Sequence, residues 1–288
     1  MIKILDTYYQ INKLFDNGAF NYRKWEEYIN SVYDNSAHIF RNEVEKYIKS
    51  GKYTFEKDFL PVIDAVCENP KLNALHESFL TVTDNLDKRV TDCFGGELNI
   101  DIVLYLGLCN AAGWVTSING TDAVLLGVEK IIDLGWHSAD SMCGLIYHEL
   151  GHVYHAQHGK FKQKSDDNKH EFVWQLFTEG IAMYFEQVVV GDFNYYHQNI
   201  NGWKEWCDKN FTRILTDFNR DLPDMTRFNQ RYFGDMCDYY GYSDVGYYLG
   251  ARFVYYLVTK YQFDDLIGFD IDLVYSLYTD FLKQQISL

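Results

Sequence analysis

The sequence predicts an α+β chain, mostly helical, with a small mixed or antiparallel sheet ahead of a histidine-rich helix. Three observations carry this expectation. Residues 98–131, "LNIDIVLYLGLCNAAGWVTSINGTDAVLLGVEKI", are β-branched, apolar and punctuated by glycine, as strands and their turns are. On both sides of this stretch, apolar residues recur at helical spacing. Helices, then strands, then helices is a segregated order, which favours α+β over an alternating βαβ chain.

Taken in order, "NYRKWEEYINSVYDNSAHIFRNEVEKYIKS", from about Asn21 to Ser50, mixes apolar and polar positions as a helix does, and Gly51 follows where a helix end prefers glycine. "FLPVIDAVCENPKLNALHESFLTVTDNLDKRV" continues the helical character, with a break near Pro70. The apolar stretch reads as two or three strands with a tight turn at Asn119-Gly120. Helices are then expected at roughly Ser138–Gln157, His170–Val190, Asn201–Phe218, Asp244–Tyr261 and Asp270–Lys283. Only three prolines occur (Pro61, Pro70 and Pro223), and no low-complexity linker interrupts the chain. The expected organisation is an N-terminal helical region over 1–95 and a motif-bearing domain over 96–288.

Composition excludes several classes. The chain carries 26 basic and 41 acidic residues, a net charge of −15. A duplex nucleic-acid binder needs a basic face, and an anionic membrane surface attracts one. The first residues lack the apolar core and small-residue cleavage site of a signal peptide, and no run reaches the length of a membrane span. Cys67, Cys93, Cys109, Cys143, Cys207 and Cys237 are scattered and never paired as C-x-x-C. That usage suits a reducing cytosol, so a cytoplasmic location is expected.

"LIYHELGHVYHAQH", residues 145–158, carries the chemistry. His148 and His152 are four apart, so on a helix both rings share one face and reach one zinc ion. Glu149 lies beside them, placed to take a proton from a zinc-bound water. Leu145, Ile146, Leu150 and Val153 make the helix apolar, and Gly151 leaves room for close approach, for instance by the sheet.

Catalytic zinc needs a third protein ligand. His158 stands ten after His148, the metzincin spacing, but His155 occupies the step where that pattern turns on glycine. An unbroken helix carries His158 about 9 Å past His152. Glu179, in "WQLFTEGIAMYFEQ", is the preferred ligand, because a carboxylate in so apolar a helix is costly to bury unless paired or metal-bound. Glu186, seven residues on, reads as a helix-end acid or as a hydrogen-bond partner for a ligand histidine. The polar stretch Gly159–Lys169 lets the two helices pack side by side.

"HELGH" with "TEGIA" resembles the gluzincin metallopeptidases, whose pattern is H-E-x-x-H followed by E-x-x-A or E-x-x-D on a later helix; Glu179-Gly180-Ile181-Ala182 matches E-x-x-A. The chain is similar in particular to bacterial predicted zinc-dependent proteases, over about Asn99–Tyr261. The resemblance implies a zincin-like fold, one zinc per chain held by His148, His152 and Glu179, and Glu149 as general base. Tyr247, three before Gly250, fits the Y-x-x-G of the aminopeptidase-like branch and is implied as the oxyanion donor. The G-x-M-E-N segment that holds a free amine is absent, and Glu129 in "LLGVEKI" does not restore it.

The expected function is a zinc-dependent hydrolase acting on a peptide or protein substrate. "DAVLLGVE" is the expected edge strand on which an extended peptide docks. Two alternatives stay open: a metal- or partner-binding protein without catalysis, its ion closed by His155, His158 or Cys143, and metzincin-like ligation through His158.

Overall fold

The computed structural model of the protein describes residues 1–286. The chain is mixed α+β, mostly helical with a small sheet. It divides into two compact units, 1–149 and 150–288, and the division falls inside the helix Ala139–His158.

The first unit begins with β1 (Ile2–Asp6), α1 (Tyr8–Ile11) and a short ribbon of β2 (Phe15–Asp16) and β3 (Ala19–Phe20). Five α-helices follow: α2 (Tyr22–Val32), α3 (Ala37–Lys49), α4 (Leu60–Asp64), α5 (Pro70–Thr83) and α6 (Leu86–Phe94), with a π-helical turn at Phe55–Phe59 leading into α4. Then come β4 (Ile100–Tyr105), β5 (Gly113–Ile118), β6 (Thr121–Gly127), α7 (Val128–Asp133) and the first half of α8 (Ala139–His158).

The sheet order is β1-β4-β6-β5. β4 is parallel to β1 and to β6, whereas β5 is antiparallel to β6. "IDIVLY" of β4 is buried at all six positions, as an unbroken apolar strand inside a parallel array should be. Asn119 and Gly120 take φ of 52° and 82°, the left-handed pair that a two-residue hairpin turn needs. Trp25, Phe40, Phe59, Phe79, Leu104 and Leu126 fill this unit's core.

The N-terminal region is not helical throughout. Residues 2–6 form β1, with Ile2 opposite Ile100, a pairing across nearly a hundred residues that local periodicity cannot reveal. The stretch Asn21–Ser50 is two helices, parted where Asn35 adopts φ 50°. The expected break near Pro70 is present, between α4, which ends at Asp64, and α5, which Pro70 starts. Pro70 occupies the first turn, and the Asn69 side chain accepts from the Lys71 amide.

The second unit holds the rest of α8, then α9 (Asn168–Val190), α10 (Trp203–Asp221), α11 (Val245–Val258), α12 (Phe263–Leu266) and α13 (Ile271–Ile286). Both α11 and α13 pack on α9. A Cβ on Gly180 would lie 2.2 Å from the Gly250 carbonyl oxygen, so α9 and α11 cross in near backbone contact. Asp167 caps α9 by accepting from the Lys169 amide at 2.8 Å, which closes the polar reversal after α8. Gly151 then faces α9, where a Cβ would come within 2.7 Å of Ala182 Cα. The neighbour that Gly151 admits is therefore a helix and not the sheet.

Candidate metal centre

Helix α8 runs unbroken from Ala139 to His158, so its 3.6-residue period places His148 and His152 one turn apart on one face. His148 is 3% exposed. His152 Nε2 lies 3.1 Å from Glu179 Oε2, with the two side chains 12% and 14% exposed. One ligand atom from each of His148, His152 and Glu179 lies within 4.8 Å of the other two. Donors around a tetrahedral ion at 2.0–2.1 Å stand about 3.3 Å apart, so a small contraction would seat one. Two imidazoles and a carboxylate suit a divalent transition ion, and this grouping could hold one.

Glu149 is buried and lies against the first residue of β5: a Cβ on Gly113 would stand 2.4 Å from Glu149 Oε1. Only glycine leaves that carboxylate its place. The same strand corrects the docking expectation. β6, which contains "DAVLLG", is paired on both sides, with β4 and with β5, so it offers no edge. The outer strand on that side of the sheet is β5.

Tyr247 is in the first turn of α11, its ring 6.2 Å from that of Phe233. It stands one turn before Gly250, which touches Gly180, the residue after Glu179. Asp244, at the N-terminus of α11, is fully buried and feels the Glu179 carboxylate. Burial, then Asp235, then Glu179 push its carboxyl up to about 7, against the Ser243 hydroxyl and the Gly234 amide. Asp244 also takes φ 60°, which favours Asn, Asp or Gly.

Four other named residues lie elsewhere. His155 is fully buried among Phe161, Trp174 and Phe177, and among the described residues neither ring nitrogen makes a well-formed hydrogen bond. Burial, and then His152, hold its pKa down to about 3, with the Ile267 carbonyl opposing. His158, at the helix end, is exposed and stacks its ring 4.5 Å from Tyr154. Among the described residues neither histidine belongs to a ligand grouping, and nor does Cys143. Glu129 is buried, and its two oxygens accept from the Gly107 and Cys109 amides at 2.9 and 3.0 Å.

Sequence reasoning missed Asp244 and His197. His197 sits just past α9, and His148, Glu186 and His197 form a second grouping within 4.8 Å. Glu186 is fully buried and accepts from both the His197 amide (3.2 Å) and its Nδ1 (2.9 Å). Of the two readings of Glu186, a surface acid is excluded. The available signal was its seven-residue offset from Glu179 on an apolar helix; nothing local marks His197. Comparison with family models, with curated proteins and with solved structures finds no match for this chain.

Proposed function

We propose that the protein is a zinc-dependent hydrolase, most simply a peptidase, with His148, His152 and Glu179 as the ligands. The observation that supports this best is the convergence of those three donors within 4.8 Å, with the buried Glu149 next in sequence to His148. A bound zinc supplies Lewis acidity and lowers the pKa of water. Glu149 accepts the proton from the attacking water and passes it to the leaving amine. Gly113 confines the Glu149 side chain, which limits the rotamers it samples. Tyr247 donates its phenol to the developing oxyanion, a role supported by its place one turn from the Gly180–Gly250 crossing. Strand β5, at the sheet edge, offers main-chain groups to an extended substrate. The gluzincin resemblance of the H-E-x-x-H and E-x-x-A segments points the same way.

The grouping of His148 with Glu186 and His197 would favour a structural ion instead. It is the weaker reading, because Glu186 already spends both oxygens on His197. The test is metal content with a peptide-library digest. Wild type and His158→Ala should each bind one zinc, and Glu179→Ala should lose it. Glu149→Gln should keep zinc while turnover falls on the order of 10²–10⁴-fold. Full turnover by Glu149→Gln, or zinc retained by Glu179→Ala but lost by His158→Ala, would reject the assignment.

A further inference from the structure

The loop between β4 and β5, residues 106–112, is tied down along its length by the first unit. Trp25 Nε1 donates to the Leu106 carbonyl at 3.0 Å, and the Leu106 amide donates to the Tyr28 hydroxyl at 3.2 Å. Asn110 accepts from the Leu108 amide and donates to the Phe40 carbonyl. At the loop's middle stands Glu129, 1% exposed, with one carboxylate oxygen on the Gly107 amide and the other on the Cys109 amide. Cys109 holds φ 61°, a conformation uncommon for a side chain with a β-carbon and one that needs surrounding contacts to persist. Gly107 is equally constrained, since a Cβ there would meet Glu129 Oε1 at 2.5 Å. The Gly127 amide, two residues before Glu129, donates to the Ala112 carbonyl at 3.0 Å.

The next residue along is Gly113, whose backbone lies against the Glu149 carboxylate. The nearer of the two loop amides that this buried acid satisfies, that of Cys109, is thus four residues from the backbone that confines the proposed base. Above about pH 7, where Glu129 is ionised, a carboxylate accepting two N–H groups is a strong, directional tie, and it would be a costly one to place in a core with no purpose. The charged or titratable groups facing Glu129 are the Lys130 ammonium, itself paired with Asp133, and the Tyr105 and Tyr28 side chains.

We propose that Glu129 is a positioning residue for Glu149: its carboxylate pins the Gly107–Cys109 backbone, and the pinned loop holds Gly113 where it sets the Glu149 side chain. This rests on the reading of Glu149 as general base. It also gives Glu129 a task other than binding a substrate amine, since both of its oxygens are committed to the loop.

The experiment compares Glu129→Gln and Gly113→Ala with wild type, all zinc-loaded. The readouts are amide exchange over 107–113, zinc per chain, kcat and KM on a peptide cleaved by wild type, and the carboxyl carbon signal of ¹³C-labelled Glu149. A glutamine can accept only one of the two N–H groups. Glu129→Gln should therefore exchange faster at Gly107 and Cys109, shift the Glu149 signal, keep its zinc, and lose kcat on the order of tenfold or more with KM little changed. Gly113→Ala should reproduce the kcat loss and the Glu149 shift while exchange at Gly107 stays slow, and it carries the test if Glu129→Gln does not fold. An unmoved Glu149 signal in the folded variants, or faster loop exchange with kcat intact, would overturn the proposal. A wild type that cleaves no peptide would defeat the functional reading alone; the exchange and Glu149 signals would still decide whether Glu129 positions Glu149.

Discussion

His155 shows what one residue does to this chain. Its ring is enclosed by Phe161, Trp174 and Phe177, with neither nitrogen in a well-formed hydrogen bond among the described residues. A buried polar group without a bond costs about 1–3 kcal/mol. Its folded pKa of about 3 lies below the ordinary 6.5, so the unfolded chain takes up a proton first. The stability tied to this group is present above pH 6.5 and falls as pH drops toward 3. His155→Phe should therefore raise the melting temperature at pH 7 and raise it further at pH 5, where the wild type has lost roughly 2 kcal/mol more. Melts of the chelated protein at the two pH values measure this, and an equal gain at both would contradict it. At this scale the sequence was most legible where residues act within one helix. His148, Glu149 and His152 are local, and Glu179 announced itself as an acid in an apolar run. Asp244 and His197 gave no such sign, because their partners come from other elements.

The elements on which the site stands are positioned by glycines. Gly180 and Gly250 let α9 and α11 meet backbone to backbone, and Gly151 lets α8 meet α9 at Ala182. A methyl group at Gly180 must displace a backbone carbonyl rather than a side chain, so the neighbour cannot yield cheaply. Gly180→Ala should cost about 3 kcal/mol, read as a lower urea midpoint. It should also weaken the proposed zinc binding, since Glu179 rides on the displaced turn. Unchanged stability would show that the helices do not meet this closely. Helix positions after residue 138 were legible because long apolar periods survive any tertiary arrangement: α9 was expected at His170–Val190 and spans Asn168–Val190. β1 was not legible, since "IKILD" is short and its pairing partner is β4. The edge role was assigned to the wrong strand for a related reason. Alternation and turn residues identify a strand, whereas sheet order is set by which strands pair.

For the whole molecule, buried acid shapes the response to pH. Burial pushes Glu129 up to about 7 from an ordinary 4.5, with the Gly107 and Cys109 amides opposing. The folded chain thus holds a proton that the unfolded chain has released, and stability falls as pH rises from 4.5 through 7. The shift corresponds to roughly 3 kcal/mol. Relative to wild type, Glu129→Gln should lack this fall between pH 5 and 7.5 in denaturant titrations, and parallel curves would refute the assignment. No described helix is long and apolar enough to cross a membrane, as the sequence led one to expect. By itself the sequence determined the α+β class, the main helices and the spacing of the histidine helix, because these follow from composition and from a 3.6-residue period. Only the tertiary structure decided that Glu179 meets the histidines, that β5 and not β6 is the outer strand, and that Glu129 ties a loop. Each of these joins residues far apart in the chain, and packing, not local periodicity, selects such contacts.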